Sequence, residues 1–211
     1  MLPFKNALVL APHTDDGELG AGATITRLVD QGARVTYVAF SIAEQSVPEG
    51  LPRDILKTEV RQATASLGIA PENLIVLGHE VRKLNFARQD ILEGLIALRR
   101  ANAFDLVLMP SLKDIHQDHQ TVAREGLRAF KGTTILGYEL VWNNLSFDTT
   151  VFVKVSAEQL GRKVEALRHY QSQRGKDYTS EEFIFALART RGVQIGAEYA
   201  ESFEVVRWVM P

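Results

Sequence analysis

The 211-residue chain contains no cysteine, so no disulfide can brace it, and any transition-metal site must be built from histidine and carboxylate rather than thiolate. Such a composition fits a reducing compartment. The chain also lacks any apolar run near the ~18 residues that a spanning helix needs. The run from Ala7 to Ala11 is too short for a signal-peptide core and ends in two carboxylates rather than a cleavage site. No membrane partner is expected, and the expected location is cytoplasmic. Runs of like charge are missing too. The 24 basic and 26 acidic residues are scattered and leave a formal net charge of -2, which disfavours nucleic acid and other polyanionic partners. There is no internal repeat, low-complexity tract or linker-like stretch.

What is present is a hydrophobic content of 45%, enough for a full core, and one domain over residues 1–211 is expected. Short β-branched or aliphatic runs at 7–11, 34–40, 73–77 and 105–109 are bounded by Gly, Pro, Asn or Asp. Between them, 18–31, 53–67 and 87–101 have helical periodicity. The second is the clearest: Ile55, Leu56, Ala63 and Leu67 recur near helical spacing and Gly68 follows as a stop. Later segments predict strands at 134–141, 150–155 and 203–209 and helices at 157–171 and 180–190. The pattern predicts an α/β fold, three-layered and Rossmann-like, with a mainly parallel sheet covered by helices on both faces. In such sheets the ligand site lies outside the carboxyl ends of the strands.

Two motifs fall there. Three of the five histidines, His13, His116 and His119, sit beside aspartates just past strand ends, in Pro12-His13-Thr14-Asp15-Asp16 and His116-Gln117-Asp118-His119. A catalytic zinc takes three His or Asp ligands and keeps one position open. His13 and Asp16 can chelate across a strand-to-helix turn, and His119 can complete the set; Fe2+ also suits a His-His-Asp site. Asp15, adjacent to ligand Asp16 but free of it, can serve as general base. His116, three residues before His119, can reach a bound carbonyl as oxyanion stabiliser or acid. Asp118 can orient an imidazole from behind.

Each motif has a plainer reading. An Asp pair after a strand often supplies an N-cap and its solvated neighbour. Two independent His-Asp clusters at one sheet edge favour the metal site. Gly17, Gly20 and Gly22 follow the first motif inside a helical stretch, where each costs about 0.5 to 1 kcal/mol relative to alanine, and they point to a close backbone approach. Their spacing reverses the dinucleotide fingerprint, and no acidic residue closes the second strand, so a dinucleotide site is not expected.

These motifs, with Gly22-Ala23-Thr24-Ile25, Glu59 to Gly68-Ile69, Ala166 to Gln173 and Glu198 to Phe203, resemble the PIG-L/LmbE-like family of zinc-dependent N-deacetylases over nearly the whole chain. By position, His13, Asp16 and His119 look like zinc ligands, Asp15 like the base, His116 like the acid and Asp118 like its orienting partner. The resemblance implies removal of acetyl from an N-acetylglucosamine conjugate by metal-bound hydroxide. Two alternatives stand beside it: an amidase acting on a thiol-conjugate or other acyl amide, and a non-catalytic metal-dependent binding protein. Gly17 and Gln117 depart from common family residues, yet neither removes a proposed ligand. In the substrate wall, Arg53 can pair with a phosphate or carboxylate and Glu44 with sugar hydroxyls; both equally suit exposed loop positions. The implied partner is a small-molecule amino-sugar conjugate, and a homo-oligomer is possible.

Overall fold

A computed structural model describes residues 2–210. Its strands are β1 (Asn6–His13), β2 (Arg34–Ser41), β3 (Leu74–Val76), β4 (Leu106–Pro110), β5 (Thr134–Tyr138), β6 (Val151–Val155) and β7 (Tyr199–Arg207). The helices are α1 (Asp16–Asp30), α2 (Ile55–Ser66), α3 (Arg88–Ala101), α4 (Gln117–Ala129), α5 (Ala157–Arg168) and α6 (Glu181–Val193). One seven-stranded sheet has the order β3-β2-β1-β4-β5-β7-β6. Its first five strands are parallel, and β7 runs antiparallel to both β5 and β6. This is the expected three-layer α/β architecture.

The side-chain alternation along β1 explains the layering. Ala7, Val9 and Ala11 join an apolar cluster containing Leu28 of α1, Val60 of α2, Leu160 of α5 and Ile184 of α6. Leu8 and Leu10 point to the opposite face and pack with Ile91 and Leu95 of α3 and Val122 of α4. Successive strand residues face opposite sides, so the central strand has no polar face to show to water and is apolar throughout.

The strand order reverses direction between β1 and β4. After β3 the chain crosses back through α3 to pair on the far side of β1. A crevice forms outside the carboxyl ends at such a switch point. His13 is the last residue of β1, and the loop after β4 leads directly into α4.

Several element boundaries differ from those predicted. Helix α4 is absent from the sequence-based assignment because its first turn is polar and half of its apolar stripe comes late, at Val122, Ala123 and Leu127. Helix α5 stops at Arg168 rather than 171: a short 3-10 turn, Gln171–Gln173, follows, where Glu59 of α2 accepts from Ser172 N at 3.1 Å and Ser172 Oγ at 2.6 Å. A long-range carboxylate thus ends a helix that local pattern would continue. Gly68 does take the left-handed conformation, φ 86°, after α2. The glycines of α1 allow close approach: a Cβ on Gly17 would lie 2.5 Å from Tyr37 Cε2, and Gly20 packs on the Tyr138 ring.

Candidate metal centre and active site

β1 and α1 present His13 and Asp16 from one side of the crevice, and the first turn of α4 presents His119 from the other. His13 Nδ1 and Asp16 Oδ2 are 3.1 Å apart, His119 Nε2 and Asp16 Oδ2 3.2 Å, and His119 Nε2 and His13 Nδ1 3.2 Å. Donors held tetrahedrally at about 2.0 Å from one ion stand about 3.3 Å apart, so this triangle has the dimensions of one cation's ligand face.

The second nitrogen of each ring is already engaged. His13 Nε2 meets Asp118 Oδ2 at 3.0 Å, and His119 Nδ1 meets Asp114 Oδ2 at 2.7 Å. A ring that donates to a carboxylate from one nitrogen turns the lone pair of the other outward. With both rings neutral, two lone pairs and the Asp16 carboxylate converge on one point, which is unfavourable unless a proton or a metal ion sits there. The ionisation of the groups reports the same field. Burial disfavours a charged His13, but the Asp16 charge and the Asp118 and Asp16 hydrogen bonds outweigh it and raise the imidazole to about 9. His119 is opposed by burial in the same way, yet Asp16 and Asp114 raise it to about 10. For Asp16, burial is outweighed by the two imidazoles, which hold its carboxyl well below the usual carboxylate range.

His116 belongs to the same cluster: one ring nitrogen from each of His13, His116 and His119 lies within 4.8 Å of the other two. An all-histidine donor set is therefore conceivable by proximity, but His116 Nδ1 already accepts from Asp118 N at 3.2 Å and so caps α4. Its ring stacks on His119, centroids 4.5 Å apart. With Nδ1 accepting, the neutral ring carries its hydrogen on Nε2. Burial, then the His119 and His13 imidazoles, lower the His116 pKa and favour that neutral form.

Asp15 occupies the N-cap position of α1, but its side chain makes no capping bond. The plainer reading of the Asp pair therefore fails for this carboxylate, which lines the cleft instead. Burial and the Asp16 charge raise its pKa above the usual carboxylate range. The turn that carries it is pinned from behind: Tyr37 and Tyr170 hydroxyls approach the Thr14 carbonyl at 2.9 and 2.8 Å and both also contact Glu18. Two hydroxyl hydrogens cannot serve all four contacts. Burial pushes Glu18 up to about 8, and its proton supplies a further donor.

Six of the eight residues singled out from sequence thus come together. Asp118 does so with a different partner: its side chain holds His13, not His116, while also accepting from the backbone N–H of Arg82 at 2.6 Å and of Leu84 at 3.2 Å. Arg53 is exposed and does not line the cleft over the cluster, and Glu44 lines a separate depression with His79 and Glu80. Asp114 was missed. It sits two residues before His116, anchoring that residue's N–H at 2.8 Å as well as the His119 ring, and an aspartate just upstream of a His-x-x-His pair is the signal that marks it. A cleft of about 200 Å³ opens over His13, Asp15 and His116, bordered by Arg82, Gln173 and Lys176.

An open α/β sheet carries at its switch point a buried His/Asp cluster that could hold a metal ion, and a cleft opens over it. Residues 8–130, more than half of the chain, match the PIG-L family, described as GlcNAc-PI de-N-acetylase. The chain belongs to this LmbE-like family of N-acetylglucosamine deacetylases. It is 28% identical over 181 residues to the uncharacterised deacetylase YaiS of Escherichia coli (strain K12), covering 80% of this chain and 91% of that one. It is 25% identical over 227 residues to the diacetylchitobiose deacetylase of Thermococcus kodakarensis, with 96% and 83% covered. Among solved structures, the conserved protein TT1542 from Thermus thermophilus superposes with a TM-score of 0.82 at 28% identity, covering 97% of this chain and 96% of that one. Among the described residues, no helix is long and apolar enough to cross a membrane.

Proposed function

We propose that the protein is a metal-dependent hydrolase that removes the N-acetyl group from an N-acetylated amino-sugar conjugate, with Zn2+ as the favoured metal and Fe2+ as an alternative. The observation that carries this reading is the triangle of His13 Nδ1, Asp16 Oδ2 and His119 Nε2 with its far-side nitrogens already bonded to Asp118 and Asp114. Those three residues would hold the ion. When bound, the ion supplies Lewis-acid charge to a carbonyl and acidifies water.

The chain supplies the proton chemistry. Asp15, uncommitted to any cap and raised toward neutrality, accepts a proton from the attacking water at its free carboxylate oxygen. His116 donates a hydrogen bond from Nε2 to the acetyl oxygen as charge develops there, and the proton that Asp15 has taken passes to the departing amine. Asp118 and Asp114 hold the imidazoles of His13 and His119 in the required tautomers. Related proteins act on N-acetyl sugars, as the diacetylchitobiose deacetylase of Thermococcus kodakarensis does by name, which supports the amino-sugar assignment.

The test is acetate release from a panel of N-acetylglucosamine conjugates, with acyl amides of other amines alongside. Activity on the sugars that a chelator removes and Zn2+ restores is the expected result. A zinc-loaded protein inert on every N-acetyl sugar, or one preferring the non-sugar amides, would overturn the assignment.

A further inference from the structure

Strain and charge both gather at the mouth of the cleft, and hydrolysis requires neither. Among the described residues, two that are not glycine have positive φ, Ala43 at 47° and Arg82 at 67°, and both line the cleft. The left-handed region penalises a Cβ, and arginine is not among the residues that tolerate it well. Glycine at position 82 would be free of that penalty and would still offer the N–H that Asp118 accepts at 2.6 Å. The backbone role of the position therefore does not explain why it is arginine. Strained positions of this kind collect where a side chain serves a site.

The charges point the same way. Outside the His/Asp motifs, the charged residues lining the cleft are Arg82 and Lys176, both cationic. The Arg82 guanidinium meets no carboxylate among the described residues. Lys176 Nζ donates to the Gln173 amide oxygen and lies 5.6 Å from the Tyr178 ring centroid, and among the described residues it makes no ion pair, with Asp15 lining the same cleft. Elsewhere some cations, among them Arg88, Arg128, Lys163 and Arg191, sit on a carboxylate, and others such as Arg53, Arg61 and Arg124 do not, so what sets Arg82 and Lys176 apart is their place on the cleft. The cleft thus places two exposed cations, neither in an ion pair, near the Asp15 carboxylate, beside a rim that also offers Ser46 and Gln173 as neutral hydrogen-bonding groups.

We propose that Arg82 and Lys176 form an anion-recognition site for a carboxylate or phosphate carried by the amino-sugar conjugate, so that acidic conjugates are the preferred substrate class. This rests on the deacetylase reading above. Arginine offers a planar fork that fits two oxygens of either anion, and lysine adds a point charge. The role once expected of Arg53 is thereby taken by residues that the tertiary structure brings to the cleft.

The experiment compares three glycosides of N-acetylglucosamine on the zinc-loaded protein: a neutral methyl glycoside, the 1-phosphate, and a glycoside ending in a carboxylate. At least one acidic glycoside should exceed the neutral one about tenfold or more in kcat/KM, mainly through KM, the scale of a charge-assisted hydrogen bond. Comparison of the two acidic arms tells phosphate from carboxylate. Arg82→Gly and Lys176→Gln should each cut the acidic-to-neutral ratio about tenfold, and added salt should lower it. Zinc content measured on each variant separates loss of the anion site from loss of the metal centre. Equal kcat/KM for all three glycosides, or variants that lower all three alike, would overturn the proposal. If none of the three releases acetate, the deacetylase reading fails, and calorimetric binding of the same glycosides decides the anion site alone: tighter binding of an acidic glycoside, weakened in both variants, upholds it, and equal or absent binding removes it.

Discussion

Asp118 Oδ2 lies 3.0 Å from His13 Nε2, a residue 105 positions away, while the imidazole of His116, two positions away, receives only Asp118's backbone N–H. The aspartate inside the second motif thus serves the histidine of the first. It ties the end of β1 to the start of α4, and its two further bonds to Arg82 and Leu84 N–H groups bring in the segment after β3.

Removal of Asp118 should therefore act on metal binding before it acts on proton transfer. Asp118→Ala is expected to weaken zinc affinity about 10- to 100-fold, as loss of such supporting carboxylates does, and Asp114→Ala should do the same through His119. Competition against a chromophoric chelator measures both. Wild-type affinity in Asp118→Ala would show that His13 needs no support.

Asp15→Asn should separate binding from turnover. The carboxylate makes no cap and no ligand contact in the triangle, so zinc content should stay at the wild-type level while kcat falls by at least about 10²-fold. Metal analysis beside acetate release checks this. Full activity in the variant would rule Asp15 out as the base.

Metal uptake should release protons at neutral pH. In the metal-free protein His13 and His119 titrate near 9 and 10, so below those values the pocket holds at least one proton that the ion must displace. Apparent zinc affinity should therefore rise with pH from 6 toward about 9, by about tenfold per pH unit for each proton released. Calorimetry in buffers of different ionisation enthalpy counts the protons; affinity flat with pH would contradict the field described for the site.

Gly17→Ala should cost stability without touching a ligand. Its Cβ would stand 2.5 Å from Tyr37 Cε2 and 2.6 Å from the Tyr37 hydroxyl oxygen, in fully buried surroundings. Overpacking of this kind costs about 1 to 3 kcal/mol, or roughly 2–4 °C of Tm per kcal/mol in a chain this long. Thermal unfolding of the zinc-loaded protein reads it. An unchanged Tm would mean that Tyr37 moves aside freely.

The parallel core of the sheet was legible because strands such as β1 and β4 are continuous apolar runs buried on both faces, which need no long-range information to be recognised. By contrast β7, interrupted by Glu201, Ser202 and Glu204, spans Tyr199–Arg207 and not the expected 203–209. Helices α1, α2 and α3 showed themselves by periodicity. Helix α4 did not, since its first turn spends Asp118 and His119 on the site and Gln117 and Gln120 on solvent and the loop. The end of α5 was misread for a related reason: Glu59, over a hundred residues away, takes the Ser172 groups that begin the next turn.

For the site, the sequence by itself determined the chemistry: which side chains can bind a metal, that two clusters of them follow strand ends, and that no thiolate competes. Tertiary structure decided the partnerships. Asp118 faces His13, Asp114 backs His119, and Arg82 and Lys176 reach the cleft in place of Arg53. Donor types follow from residue identity, and local spacing follows from strand and helix geometry. A hydrogen-bond partner across the switch point depends instead on where two parallel strands and their crossover loops come to rest, which packing of the whole sheet sets and no short stretch of chain encodes.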